Sequence, residues 1–238
     1  MQIKTEALII SATRYQEKSL IVKAYTKVYG LRTYFVRNAF SKTNKILNSS
    51  YFQPLTNVLL DATHKNKGTL EYINEVKLVQ PYQSISFDFY KNTVAIFLAE
   101  VLGNAIKEDE ANIKLYTFIT TALTWFDQHE FNPNFHLWFL LNTTKYLGFY
   151  PDDSDEDSLY FNLIEGSFTN DYSPNCFNEM ETIAFRKLFE LSLNTIKPVG
   201  FNSQSRKIVL KQLLNYYGIH IANFKNIKSL DVLSEIIQ

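Results

Sequence analysis

Short runs of β-branched and aromatic residues, separated by turn residues, dominate the first 80 positions of the chain. Runs of this kind are typical of β-strands. They predict five strands: Ala7–Thr13, Ser19–Thr26, Leu31–Arg37, Leu55–Ala62 and Thr69–Val79. Five short strands with one longer polar connection after the third, at residues 40–50, favour a small Greek-key barrel of the OB type. An SH3-like barrel remains an alternative, because the strand pattern alone does not separate the two.

The fifth predicted strand divides its side chains into an apolar set and a charged set. Successive side chains of a strand point to opposite faces, so such a division is expected where one face is buried. The apolar face comprises Leu70, Tyr72, Val76 and Leu78, and the opposite face comprises Glu71, Glu75 and Lys77.

From Ser84 onward the hydrophobic period lengthens to that of an amphipathic helix, with apolar residues at i, i+3, i+4, i+7, i+8 and i+11. The first two helices are predicted from Val94, Phe97, Leu98, Val101, Leu102 and Ala105, and from Leu115, Phe118, Ile119, Ala122, Leu123 and Phe126. Further helices are predicted from Asn132 to about Leu147, from about Glu179 to Ile196, around Leu210–Ile221, and after Ser229. The segment Pro151–Cys176 has no helical period and indicates a long non-helical insertion.

The formal net charge is zero, but the charges are unevenly distributed along the chain. Residues 1–80 carry twelve Lys and Arg against five Asp and Glu, whereas residues 81–199 carry seven against seventeen. The last 39 residues are again basic, with five against two. Pro81 and the change of charge sign coincide, and they place a domain boundary at about Gln80–Gln83. We therefore predict an α+β protein with a barrel domain at 1–80 and an α-helical domain at 81–238, the latter interrupted at about 151–176.

The sequence offers little support for catalysis or for a cofactor. It lacks the phosphate-binding glycine loops, the nucleophile elbow and the zinc-protease motif. The acidic run Asp152–Asp157 fails as a calcium loop, because Ser158 stands where glycine is required and Ile164 where a bidentate Glu is required. A lone cysteine, Cys176, excludes an internal disulfide and a cysteine-only metal cluster. We expect no enzyme activity, no metal and no cofactor.

No apolar run is long enough to cross a bilayer, and the first residues do not form a signal peptide. We therefore expect a cytoplasmic protein without a membrane partner.

The strongest local signal in the sequence is the alternation of cations and rings in the predicted barrel, as in Lys23-Ala24-Tyr25 and Arg32-Thr33-Tyr34. Cations neutralise phosphates, and rings stack on unpaired bases. A half-buried sheet with inward rings and outward lysines would give the same pattern, and only the basic excess favours nucleic acid.

Motifs along the whole chain resemble the RecO family of bacterial recombination mediators, which act in the RecF pathway. The N-terminal part carries Arg14-Tyr15-x-Glu17, then Leu20-Ile21-Val22, Tyr25-Thr26 and Gly30, and later Phe52-Gln53-Pro54-Leu55. The helical part carries Phe97-Leu98-Ala99-Glu100-Val101-Leu102, Leu147-Gly148-Phe149-x-Pro151, His220-Ile221 and Ile227-Lys228-Ser229-Leu230. The resemblance spans about residues 7–236, and the order and spacing of the motifs make it specific.

The chain departs from this family in two places. Many members carry two C-x-x-C pairs that form a structural zinc site, but here the interval holds only Cys176, so we expect a zinc-less member. The basic connector after the third strand keeps Arg37, Lys42 and Lys45, whereas Asn38 replaces its glycine and Phe40 replaces a cation.

The resemblance implies a non-enzymatic DNA repair and recombination protein, associated with the nucleoid. Such a protein binds single- and double-stranded DNA, anneals strands and, with RecR, helps load RecA onto DNA coated by the single-strand-binding protein. The expected phosphate ligands are Arg14, Lys18, Lys23, Lys27, Arg32, Arg37, Lys42 and Lys45, and the expected stacking rings are Tyr15, Tyr34 and Phe40. Arg206, Lys207 and Lys211 are candidates for contact with the acidic C-terminal tail of the single-strand-binding protein.

Two other interpretations remain open at this stage. The barrel could belong to a protein-interaction adaptor that does not bind DNA, with the acidic helical part docking a basic partner. A hydrolase built on the acidic run is the least supported possibility.

Overall fold

Five strands pair into a closed barrel at the N-terminal end of the chain, and helices follow it. The computed structural model describes residues 1–40, 49–65, 70–107, 110–155, 157–192 and 201–236. The barrel strands are β1 (Gln2–Tyr15), β2 (Ser19–Thr26), β3 (Gly30–Val36), β4 (Asn57–Thr63) and β5 (Glu71–Leu78). The helices are α1 (Phe89–Ala105), α2 (Ile113–Gln128), α3 (Phe135–Leu147), α4 (Glu179–Arg186), α5 (Ser203–His220) and α6 (Leu230–Ile236).

The strand order β1-β2-β3-β5-β4 closes because the long first strand pairs on both sides. Its first half pairs with β4, from Gln2 opposite Thr63 to Leu8 opposite Asn57, and its second half pairs with β2. Strands β3 and β5 are parallel, whereas the other neighbours are antiparallel. This arrangement confirms the α+β class and the OB-like barrel predicted from the sequence.

Alternation along the strands fills the barrel with apolar side chains. Its core comprises Ile3, Ala7, Ile9, Leu20, Val22, Ala24, Tyr34, Val36, Ala39, Phe52, Val58, Leu60, Ala62, Ile73 and Val76. The predicted alternation of the fifth strand was wrong for four residues. Leu70 and Leu78 are exposed and Tyr72 faces outward, whereas Glu71 is only 6% exposed. The register between β4 and β5 shifts between Asp61 and Ala62, which leaves Asn74 unpaired. This bulge changes the phase, so that Ile73 and Val76 face inward and Tyr72 faces outward.

The chain divides into two compact units, Met1–Asp127 and Gln128–Gln238. In the first unit, the carboxylate of Asp127 at the end of α2 accepts hydrogen bonds from the backbone N–H groups of Gln83, Ser84 and Ile85, at 2.8–2.9 Å. These bonds attach the segment that precedes α1 to α2. The same hydrogen bonds lower the pKa of Asp127 despite the opposing effect of burial, so the carboxylate stays ionised.

The second unit contains a small sheet in the order β7-β6-β8, formed by β6 (Tyr160–Asn162), β7 (Ser167–Thr169) and β8 (Cys176–Phe177). Rings from the sheet and from two helices pack together beneath it, with centroid distances of 4.7–5.7 Å between Phe161 and its neighbours. These neighbours are Phe168, Phe177, Phe185 and Tyr216. Aromatic packing therefore stabilises this segment of the second unit.

We predict that Gly103→Ala destabilises the protein by about 1–2 kcal/mol, despite the higher helix propensity of alanine. Helix α1 approaches β1 closely at this residue, where an added Cβ would lie 2.8 Å from Cγ2 of Ile10. The matched control is Gly218→Ala in α5, where an added Cβ meets nothing within 4 Å. Thermal unfolding followed by circular dichroism should show a lower midpoint for the first variant and an equal or higher one for the second.

We predict that stability falls as the pH falls below 6.5 and that His136 causes part of this loss. Burial lowers the pKa of His136 from 6.5 to about 3. Below pH 6.5 the unfolded chain therefore binds a proton at His136, whereas the native protein does not. This difference lowers the free energy of unfolding by about 1 kcal/mol for each pH unit between 6.5 and about 3. His136→Gln should reduce the slope of unfolding free energy against pH, whereas His129→Gln at an exposed position should leave it unchanged. Equal slopes in all three proteins would contradict this assignment.

Candidate nucleic-acid interface

Three rings lie side by side on the outer surface of the barrel, where β1, β3 and β5 present outward-facing positions. Tyr15 and Phe35 are in contact at a centroid distance of 5.9 Å and an interplanar angle of 82°. Phe35 and Tyr72 are in contact at 5.9 Å and 84°. Register explains the second contact, because Phe35 pairs with Tyr72 across β3 and β5.

Cations lie over rings at the same end of the barrel. The Arg37 guanidinium is 5.1 Å from the centroid of Tyr72, and Nζ of Lys65 is 4.7 Å from the same centroid. The Arg14 guanidinium is 5.1 Å from the centroid of Phe40 and also donates to the carbonyl oxygen of Glu17 at 2.9 Å. Lys18 is exposed in the adjoining turn between β1 and β2. We define the barrel patch as the following residues: Arg14, Tyr15, Lys18, Phe35, Arg37, Phe40, Lys65 and Tyr72.

The patch contains five of the residues expected from the sequence, namely Arg14, Tyr15, Lys18, Arg37 and Phe40. Lys42 and Lys45 lie outside the described residues. The patch also contains Phe35, Lys65 and Tyr72, which were not predicted from the sequence as DNA-binding residues. Phe35 adjoins Tyr34, and only the barrel register decides which of the two rings faces outward. Tyr72 was assigned to the apolar face, because the bulge in β5 leaves no mark in the hydrophobic pattern.

Two predicted phosphate ligands make protein contacts nearer the other end of β2. Nζ of Lys23 donates to the carbonyl oxygen of Gly103 in α1 at 2.9 Å. Lys27 forms an ion pair with Glu6 at 3.3 Å. About eight residues of extended strand separate Lys27 from Ser19, which pairs with Tyr15, so Lys27 lies roughly 25 Å from the patch along β2.

The expectation that Tyr34 stacks on a base is wrong for this structure. Tyr34 is 0% exposed, because it pairs across β2 and β3 with the inward-facing Val22. Its hydroxyl lies 3.0 Å from Nε2 of His64, and burial raises the pKa of the phenol far above its ordinary value. Arg32 pairs with the inward-facing Ala24 and is half-buried, so it does not belong to the outer patch.

The three candidates for contact with an acidic tail lie on α5, but they do not form one surface. Arg206 is only 8% exposed and donates through Nη1 to the carbonyl oxygen of Phe201 at 2.7 Å, so the expectation for this residue is wrong. Lys207 and Lys211 are exposed, and Lys211 lines a groove of about 1100 Å³ in the second unit.

This groove runs between α5, the small sheet and the segment that leads into α6. Its lining combines apolar side chains such as Phe177 and Ile208 with Lys211, Lys225 and Lys228, and it also contains Glu181 and Asp231. Gln212 lines the groove at 5% exposure, and neither its amide nitrogen nor its amide oxygen has a hydrogen-bond partner within the described residues. A buried amide in this state can pair with a polar ligand that enters the groove.

Two further features bear on the type of site. Among the described residues, no group of three or more His, Cys, Asp or Glu side chains is placed to bind a metal ion. Within the same residues, no helix has the length and apolar content that a membrane crossing requires.

Comparison with known proteins agrees with the barrel and the helical region. Residues 1–82 match the family described as Recombination protein O N terminal, and residues 86–230 match Recombination protein O C terminal. The chain is 48% identical over 236 residues to the DNA repair protein RecO of Flavobacterium psychrophilum and 47% identical to that of Flavobacterium johnsoniae, covering 99% of each protein. It is 31% identical to the protein of the same name from Bacteroides fragilis, with 98% coverage. With both parts matched and near-complete coverage, the chain belongs to the RecO family of DNA repair proteins.

Proposed function

We propose that the barrel patch binds the phosphates of single- and double-stranded DNA. The observation that carries this proposal is the clustering of Arg14, Lys18, Arg37 and Lys65 at one end of the barrel, in contact with or next to rings of the patch. Clustered cations displace the counterions of a polyanion, which supplies most of the affinity in non-specific DNA binding. The exposed positions of these four cations fit contacts with the DNA backbone better than base reading.

On this basis the protein acts without catalysis as a mediator of recombinational repair. It anneals complementary strands and, together with RecR, helps load RecA onto DNA coated by the single-strand-binding protein. Annealing requires that the phosphate charges are screened while the bases remain able to pair. A shallow cationic surface meets both requirements, and the names of the relatives as DNA repair proteins support the role.

We assign the contact with the acidic tail of the single-strand-binding protein to the groove beside α5 rather than to Arg206. Lys211, Lys225 and Lys228 can pair with acidic side chains or a terminal carboxylate, and the apolar lining can take a bulky side chain. The unpaired amide of Gln212 can bond to a peptide backbone. Of the three residues expected from the sequence to contact the acidic tail, Lys211 is the one that lines this groove.

The first test is replacement of Arg14, Arg37 and Lys65 by Ala in one variant. We expect it to weaken binding of a single-stranded oligonucleotide by roughly 10- to 100-fold at ~50 mM salt, because three phosphate contacts are lost. The slope of log affinity against log salt should also become shallower by about 2. A mobility-shift titration at two salt concentrations measures both quantities.

The matched control for this test is Lys27→Ala, which removes a barrel cation far from the patch and should leave the affinity within about twofold. If the triple variant binds as tightly as the original protein, the patch is not the DNA site. If the original protein retards no oligonucleotide even at low salt, the adaptor alternative gains support.

The second test concerns the groove. We expect Lys211→Glu to weaken binding of a fluorescent acidic peptide by roughly tenfold, because an attraction becomes a repulsion inside a partly enclosed groove. Lys207→Glu is the matched control, since Lys207 is exposed one turn earlier on α5 and does not line the groove. Fluorescence polarisation at low salt measures both affinities. Equal effects of the two changes would indicate attraction by overall charge rather than binding in the groove.

A further inference from the structure

Three cations of the barrel patch lie over aromatic rings. Arg14 lies over Phe40, and both Arg37 and Lys65 lie over Tyr72. A cation over an aromatic ring is attracted by the negative charge density of the ring face. Tyr72 on strand β5 thus places two of these charged groups, and Phe40 in the turn after β3 places the third.

The rings themselves are held by contacts with one another. Tyr15, Phe35 and Tyr72 form two successive edge-to-face pairs, each with a centroid distance of 5.9 Å. In an edge-to-face pair, the edge of one ring covers the face of the other. Phe35 lies between the other two rings and is half-buried, as is Tyr72. The row thus fixes the orientation of Tyr72 before any ligand binds.

Base stacking would compete with this arrangement. A base stacks on the face of a ring, but Arg37 and Lys65 already lie over the face region of Tyr72, and Arg14 over that of Phe40. A base that stacked there would displace the cations needed for the neighbouring phosphates. Phosphate binding, in contrast, requires no movement of the cations off the rings.

We infer that Tyr72 and Phe40 are positioning residues that hold Arg37, Lys65 and Arg14 for phosphates, and that the patch binds the sugar-phosphate backbone without stacking on the bases. This inference rests on the proposed DNA-binding function and names the part of the ligand that the patch recognises. It leaves the bases of a bound strand free to pair with a complementary strand.

Two acidic residues, Glu17 and Glu71, form hydrogen bonds with residues of the patch. Glu17 lies in the turn beside Arg14, which contacts its backbone carbonyl oxygen. Glu71 is buried, and its carboxylate accepts a hydrogen bond from the backbone N–H of Lys65 at 2.6 Å. That bond fixes the backbone of Lys65 and leaves the ammonium group over Tyr72.

The test compares two oligomers of about 12 units on the full-length protein, one of thymidine nucleotides and one of abasic sugar phosphates. Fluorescence anisotropy at ~50 mM salt gives both affinities. We expect them to agree within about threefold, since stacking would contribute roughly 5- to 150-fold per base. An abasic oligomer that binds more than about tenfold weaker overturns the inference.

Variants of the two rings test the positioning role directly. Tyr72→Leu keeps an apolar side chain but removes the aromatic face, and it should weaken both oligomers equally, by roughly three- to tenfold, with a shallower salt dependence. Tyr72→Phe keeps the face and should bind as the original protein does. Phe40→Leu, at an exposed turn position, provides a second variant that does not depend on the packing of β5.

The outcomes separate this inference from the proposed function. A loss confined to the thymidine oligomer in Tyr72→Leu and Phe40→Leu would show that the rings stack on bases and would overturn the inference, while DNA binding stood. Failure of the original protein to bind either oligomer would overturn both. Circular dichroism of each variant confirms that the fold is retained.

Discussion

Closure of the five-stranded barrel is the constraint on which the other features of the N-terminal part depend. A closed barrel has one inside and one outside, so every strand position is assigned to a face by the pairing register. Tyr34 and Phe35 are neighbours in β3, yet the first is buried against His64 and the second lies in the outer row of rings. The same closure brings Tyr72 of β5 next to Phe35 of β3, across 37 positions of sequence.

The outer row of rings connects this constraint to function. The barrel orients Tyr15, Phe35 and Tyr72, and Arg37 and Lys65 lie over Tyr72. A protein that is neutral overall can thus present a local cationic surface to a polyanion. A surface of preplaced charges suits the proposed function, in which strands of any sequence are bound and left able to pair.

The second unit shows how aromatic packing and helix capping organise the segment around the small sheet. Phe161 of β6 contacts the rings of Phe168, Phe177, Phe185 and Tyr216. Buried rings supply large apolar areas and specific edge-to-face contacts. Helix α4 begins directly after β8 with a capping box formed by Asn178 and Glu181, which fixes where the sheet ends and the helix starts. Packing and capping here link the strands of the small sheet to α4 and α5.

The sequence by itself determined the five strands, the change to helical period after residue 84 and the family, because hydrophobic periodicity and ordered motifs are local properties of the chain. It also identified Arg14, Tyr15, Lys18, Arg37 and Phe40, which share the patch. Tertiary structure decided which cations and rings lie together. The β5 bulge turned Tyr72 outward, and the packing of α5 buried Arg206 while it left Lys211 in a groove. These outcomes depend on register and on contacts between distant segments, which no local pattern encodes.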